Sequence, residues 1–215
     1  MIHLLLPVIF LGDSLTAGYG LNPEQAYPSL VEKMIRQENL DYRVINAGSS
    51  GDTTGGGVRR LPWLLKQKPA MIIVALGAND MLRGLPAVEV EKNLDQILTQ
   101  AESQGVKTAI LGMRAAPNLG TKYQRDFDAI YGSLAKKHSA PLLPFYIKDV
   151  AARPKLNQAD GIHPTPEGQR KIAERVARFL LPLLKRISAN TNGSVNGSVN
   201  GSGVGDVTSA EGNSK

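Results

Sequence analysis

Two short segments at opposite ends of the chain carry side chains that can do chemistry together. Gly12-Asp13-Ser14-Leu15 follows an apolar run, and Asp160-Gly161-Ile162-His163-Pro164 precedes a long amphipathic stretch. A serine hydroxyl is a weak nucleophile at neutral pH; it becomes an effective one when an imidazole takes its proton and a carboxylate holds that imidazole in the right tautomer. Ser14, His163 and Asp160 offer those three functions. Asp160 and His163 are close enough in sequence for one turn to join the carboxylate to Nδ1, leaving Nε2 to face Ser14. Two further loops can stabilise charge developing on a carbonyl oxygen. In Gly48-Ser49-Ser50-Gly51-Asp52-Thr53, Gly51 can present a backbone amide with no side chain in the way, and in Gly77-Ala78-Asn79-Asp80, Asn79 brings a side-chain amide. The amide of Ser14 itself is a third donor.

These segments need a scaffold that brings them together. Short apolar runs at Val8 to Leu11, Arg43 to Asn46, Met71 to Leu76, Lys107 to Leu111 and Leu142 to Phe145 read as buried strands. Between them apolar residues recur at helical spacing: Leu30, Val31, Met34 and Ile35; Val90, Leu94, Ile97, Leu98 and Ala101; Phe127, Ile130, Tyr131 and Leu134. A last helix starts near Pro166, with Thr165 as its N-cap. Strands that alternate with helices predict an α/β fold, a three-layer α/β/α sandwich around a mainly five-stranded parallel sheet of flavodoxin-like type. In such sheets sites form beyond the carboxyl ends of the strands. The serine, glycine and asparagine loops follow the first, second and third strands, and the histidine loop comes after the fifth.

The composition fits one domain. With 215 residues, 42% hydrophobic and 20% charged, the chain can bury a full core. The domain is expected over residues 1–187, followed from 188 by a disordered Gly/Ser/Asn-rich tail in which Asn192-Gly-Ser-Val195 repeats at once. The apolar runs are far shorter than the roughly 20 residues of a membrane span, so no stable membrane insertion is expected. The first run lacks a basic leader and meets Ser14 at once, so it does not read as a signal peptide; a cytoplasmic protein and a mature exported one both stay open. There is no cysteine, which removes disulfides and thiolate chemistry. The net charge of +6 is scattered in pairs such as Arg59-Arg60 and Lys136-Lys137, a solvated basic surface rather than a nucleic-acid site.

The four loops, in this order and wording, resemble the GDSL-type branch of the SGNH hydrolase family. The similarity runs over nearly all of residues 8–186 and is greatest to the bacterial multifunctional thioesterase, arylesterase and lysophospholipase branch. It implies a serine esterase that forms an acyl-serine on acyl esters or thioesters, with Ser14 as nucleophile, His163 as general base and Asp160 as its orienting partner. It further implies an oxyanion hole of the Ser14 amide, the Gly51 amide and the Asn79 side chain. Gly51 is preferred to Gly48 because the family pattern sets the functional glycine before Asp-Thr. No Gly-x-Ser-x-Gly elbow surrounds Ser14, which disfavours the ordinary α/β-hydrolase reading.

Other features are read more plainly. His3 and His138 lack catalytic company and read as structural or solvent-facing. Asp13 and Asp52 do not form a ligand cluster, so no metal and no cofactor are expected. Met113 to Asn118 is either an ordinary surface loop or, as the resemblance implies, a border of the acyl pocket, for which Leu15, Met113 and Ile162 are the candidate walls. Met81 to Pro86, punctuated by Gly84 and Pro86, reads as a flap. A monomer acting on a small-molecule acyl ester is the default. The same acyl-serine would serve an acyltransferase or a carbohydrate deacetylase, and a noncatalytic flavodoxin-like binding module is the alternative from another class.

Overall fold

The computed structural model of the protein describes residues 5–196; His3 and residues 197–215 lie outside the described residues. Five strands form one parallel sheet: β1 (Leu6–Gly12), β2 (Tyr42–Gly48), β3 (Met71–Ala75), β4 (Lys107–Leu111) and β5 (Leu142–Leu143). Their order is β2-β1-β3-β4-β5. Every residue of β3 is buried, as expected for a central strand covered on both faces. Among the described residues the α-helices are α1 (Ser14–Ala17), α2 (Tyr27–Gln37), α3 (Thr54–Leu65), α4 (Ala78–Leu82), α5 (Ala87–Ser103), α6 (Thr121–Lys137) and α7 (Pro166–Asn196). α2 packs on α7, α3 on α5, and α5 on α6, so helices cover the sheet on both faces and the expected three-layer α/β sandwich is found. The apolar faces foreseen for α5 and α6 are buried, from Val90 to Ala101 and from Phe127 to Leu134.

The strand order reverses between β1 and β3, and this is where a doubly wound sheet opens a crevice at its carboxyl edge. Register keeps that edge level: Gly12 at the end of β1 pairs with Gly48 of β2 and Ala75 of β3. The loops leaving these three residues therefore start side by side.

β1, β2 and β3 differ from their expected runs by one or two residues at an end, and two further boundaries differ as well. β5 stops at Leu143 instead of Phe145, because Pro144 has no N–H to give to a ladder and the chain turns there. α7 continues to Asn196, past the expected start of the tail at 188. Its later turns are anchored by Tyr42, whose hydroxyl donates to Leu184 O (3.2 Å) and lies 3.0 Å from Ser188 Oγ. Thr165 does cap its start, accepting the Gly168 N–H at 3.2 Å. Among the described residues no helix is long and apolar enough to cross a membrane.

Candidate active site

Ser14 is the first residue of α1, and Asp13 is the N-cap, its Oδ1 accepting the Leu15 N–H at 3.0 Å. A first-turn N–H has no acceptor within its own helix. The cap satisfies the second of these donors and leaves the first, on Ser14, without a protein acceptor among the described residues. Asp13 is itself buried, at 1% exposure, and Oδ2 finds no partner among the described residues. Burial therefore pushes its carboxyl up to about 7, helped by the nearby Asp80 and opposed by the Leu15 amide.

His163 reaches Ser14 from the loop before α7. Its Nε2 lies 2.9 Å from Ser14 Oγ, and its Nδ1 lies 2.7 Å from Asp160 Oδ2. Asp160 Oδ1 accepts two backbone N–H groups, from Ile162 (2.9 Å) and His163 (3.0 Å). The His163 amide and ring, followed by the Ile162 amide, hold the Asp160 carboxyl down to about 2. An ionised carboxylate only accepts, so Nδ1 carries the ring proton and, in the neutral ring, the serine hydroxyl donates to Nε2.

Three residues that sequence reasoning did not single out hold this arrangement. The Tyr19 ring lies against the imidazole, with centroids 4.5 Å apart. Gln158 Nε2 donates to Tyr19 O (2.8 Å) and Pro164 O (3.0 Å), while the Gln158 N–H donates to His163 O at 2.7 Å. Arg60 donates to Asp52 Oδ2 (2.7 Å), Gly12 O (2.7 Å) and Ala47 O, clamping the ends of β1 and β2 to the loop after β2. No local pattern marks any of them, because each acts across loops that only the fold brings together.

The two loop glycines separate clearly. Gly48 ends β2, its N–H is taken by Asn46 Oδ1 at 2.9 Å, and a Cβ there would lie 2.2 Å from Ala17 N. It is a close-packing residue. Gly51 sits beyond it in a turn with φ +79°, a conformation that favours glycine, and its N–H has no protein acceptor among the described residues. Asn79, in α4, spends one Nδ2 hydrogen on Asp52 O at 2.9 Å, leaving the second for a ligand. Asp80 beside it is buried and accepts both the N–H (2.9 Å) and the hydroxyl (2.6 Å) of Thr54, tying α4 to the start of α3.

A cavity of about 830 Å³ opens at this site, lined by Ser14, Asn79 and His163 together with Leu15, Met113 and Ile162. Leu15 and Met113 are buried walls at 5% and 6% exposure, whereas Ile162, at 50%, is part of the mouth. The loop that follows β4 is a wall and not merely surface: Met113 to Pro117 line the cavity, and the Ala115 N–H is fixed by Asp128 Oδ1 at 2.8 Å. Of the expected flap, Met81 and Leu82 line the cavity, and Leu85 is held by its N–H to Asp80 O (2.9 Å) and by the Tyr123 hydroxyl (3.0 Å). His138 is far from this edge and is not solvent-facing. Its side chain is 6% exposed, with Nδ1 2.9 Å from Glu102 and Nε2 2.6 Å from Asp95.

Known proteins are similar to this chain in sequence and in fold. The chain is 39% identical over 178 residues to "Esterase TesA" of Pseudomonas aeruginosa, covering 82% of this chain and 89% of that one. It is 40% identical over 182 residues to "Thioesterase 1/protease 1/lysophospholipase L1" of Escherichia coli K12, covering 84% and 86%. The crystal structure of AlinE4, an SGNH-hydrolase family esterase, superposes with a TM-score of 0.70 at 42% identity, over 90% of this chain and 96% of that one. Residues 10–171 match the model of the GDSL-like lipase/acylhydrolase family, and with relatives of this identity and coverage the chain belongs to that family.

Proposed function

We propose that Ser14, His163 and Asp160 carry out the ester hydrolysis of this family member through an acyl-serine intermediate. The observation that carries the reading is the continuous relay Asp160 Oδ2–His163 Nδ1 (2.7 Å) and His163 Nε2–Ser14 Oγ (2.9 Å) at the mouth of the cavity.

Ser14 Oγ attacks the acyl carbonyl as its proton passes to His163 Nε2, and the ionised Asp160 stabilises the imidazolium that forms. The carbonyl oxygen, now negative, is met by the Ser14 and Gly51 amides and by the second Nδ2 hydrogen of Asn79; donors placed in advance need no reorganisation as charge develops. Collapse expels the alcohol or thiol with the proton from Nε2. Water, deprotonated by the same nitrogen, then releases the acid and restores Ser14. Asp13 stays behind this relay as the cap that leaves the Ser14 amide free.

The acyl group lies along Leu15 and Met113 and passes Ile162 at the mouth. A cavity of about 830 Å³ with mostly apolar walls supports acyl chains longer than acetyl. Initial rates on p-nitrophenyl esters from acetyl to palmitoyl, for the wild type and Ser14→Ala, test the proposal. Loss of activity by about 10⁶-fold in the variant is the expected scale for a triad nucleophile. A variant that keeps its rate would remove Ser14 from the mechanism.

A further inference from the structure

We propose that Arg83 is a positioning residue of the oxyanion hole, locking the Ser49–Asp52 turn in the form that leaves the Gly51 N–H facing the substrate oxygen. The inference rests on the reading of Gly51 as an oxyanion donor given above.

Ser49 to Asp52 form a four-residue turn closed by Asp52 N–H to Ser49 O at 3.0 Å. Gly51 is its third residue, at φ +79°, as a type II turn requires. Type I and type II turns differ by rotation of the peptide between the second and third residues. Here that peptide is Ser50–Gly51, and it carries the Gly51 N–H. A turn relaxing to type I would swing this N–H away while keeping its closing hydrogen bond, so the closing bond alone does not hold the donor in place.

The neighbouring peptides are held from outside. Arg83 Nη2 donates to Gly51 O at 2.8 Å, and Asn79 Nδ2 donates to Asp52 O at 2.9 Å. Asn79 and Arg83 are four residues apart across α4 and its C-cap, where the Arg83 N–H bonds Asn79 O at 3.1 Å; side chains at this spacing share one helix face. They therefore reach two consecutive carbonyls of the same loop. The other end is pinned next to the nucleophile strand by Ser49 N–H to Gly12 O at 3.0 Å. With the Gly51–Asp52 peptide bound through its N–H by Ser49 and through its carbonyl by Arg83, Gly51 loses the freedom that its missing side chain allows. Arg83 does not line the cavity that Ser14 opens onto, so its effect on the reaction is exerted through Gly51.

The test compares Arg83→Met, Arg83→Lys and Asn79→Ala with the wild type on p-nitrophenyl butyrate, with thermal midpoints measured alongside. Arg83→Met is expected to lower kcat about 10-fold, with KM and the thermal midpoint close to wild type, because misplacing a donor is milder than deleting one. Arg83→Lys, which keeps a cationic donor, should recover most of that loss. Unchanged kcat in Arg83→Met, a change confined to KM, or a loss of kcat matched by a large drop in thermal midpoint would each overturn the proposal. Asn79→Ala separates the two readings. If it loses activity while Arg83→Met does not, only the role of Arg83 fails; if both retain wild-type kcat, the oxyanion hole itself is wrongly assigned.

Discussion

Arg60 Nε donates to Asp52 Oδ2 at 2.7 Å, and the same guanidinium holds the carbonyls of Gly12 and Ala47. One planar group thus joins the residue before Asp13-Ser14 to the loop that carries Gly51. Arg60→Ala takes the guanidinium away from a mostly buried carboxylate and two carbonyls, leaving Asp52 with only the Thr53 N–H and Gly12 O with only the Ser49 N–H, and should cost about 3 kcal/mol. Arg60→Lys should recover little of this, because a single ammonium does not span three acceptors set for a fork. Urea denaturation of both variants checks it; wild-type stability in Arg60→Lys would show that charge, not geometry, is what matters.

Asp13 gives the fold a dependence on pH. Its folded carboxyl is pushed up to about 7 by burial, above the unfolded value of 3.8, so the folded state binds the extra proton between these values. Stability is then greatest below the unfolded value and falls as pH rises through the folded one, by about 4 kcal/mol in all. Asp13→Asn keeps an oxygen for the Leu15 N–H and cannot ionise. Its stability relative to wild type should rise steadily from pH 4 to pH 7, as measured by denaturation at each pH. A difference that stays constant across this range would contradict the assignment.

His138 acts in a neighbouring window. Burial pulls its pKa down, but the hydrogen bonds its ring donates to Glu102 and Asp95 outweigh this and leave it above the usual 6.5. A raised folded pKa contributes stability that is fully present below the unfolded value and lost as pH rises through the folded one. His138→Gln should therefore lower the thermal midpoint at pH 6 and have much less effect at pH 9. Equal losses at both would show that packing alone is at work.

The wall after β4 should set the acyl length. Ala115 lines the cavity, and its backbone is fixed by Asp128. Ala115→Phe fills space on that wall, and each methylene denied burial costs about 0.8 kcal/mol, roughly a 4-fold loss in kcat/KM. The profile over p-nitrophenyl esters should shift towards shorter chains, with the acetyl ester little affected. An unchanged profile would place the acyl chain elsewhere.

Much of this was legible in the sequence. β4 has the bounds its apolar run predicts, and the order of strands and helices was enough to place the serine, glycine and asparagine loops on one edge. Ser14, Asp160 and His163 do lie together, since each belongs to a short local motif whose chemistry is readable without the fold. α3 was not legible: Thr54-Gly-Gly-Gly57 and Pro62 are poor helix formers, and the helix owes its place to packing. A Cβ at Gly57 would lie 2.4 Å from Leu76, so the small residues let α3 approach the sheet closely. Arg60, Arg83, Tyr19 and Gln158 were equally hidden. What makes each important is a contact made between loops, and among 25 lysines and arginines nothing local singles out two.

The most direct test of the account is to trap the covalent intermediate. The enzyme is mixed with a slowly deacylating p-nitrophenyl ester, quenched in acid and examined by intact and peptide mass spectrometry. The account predicts one acyl group per chain, on the peptide that contains Ser14, and none in Ser14→Ala. Acylation at another residue, or turnover by Ser14→Ala at the wild-type rate, would contradict it.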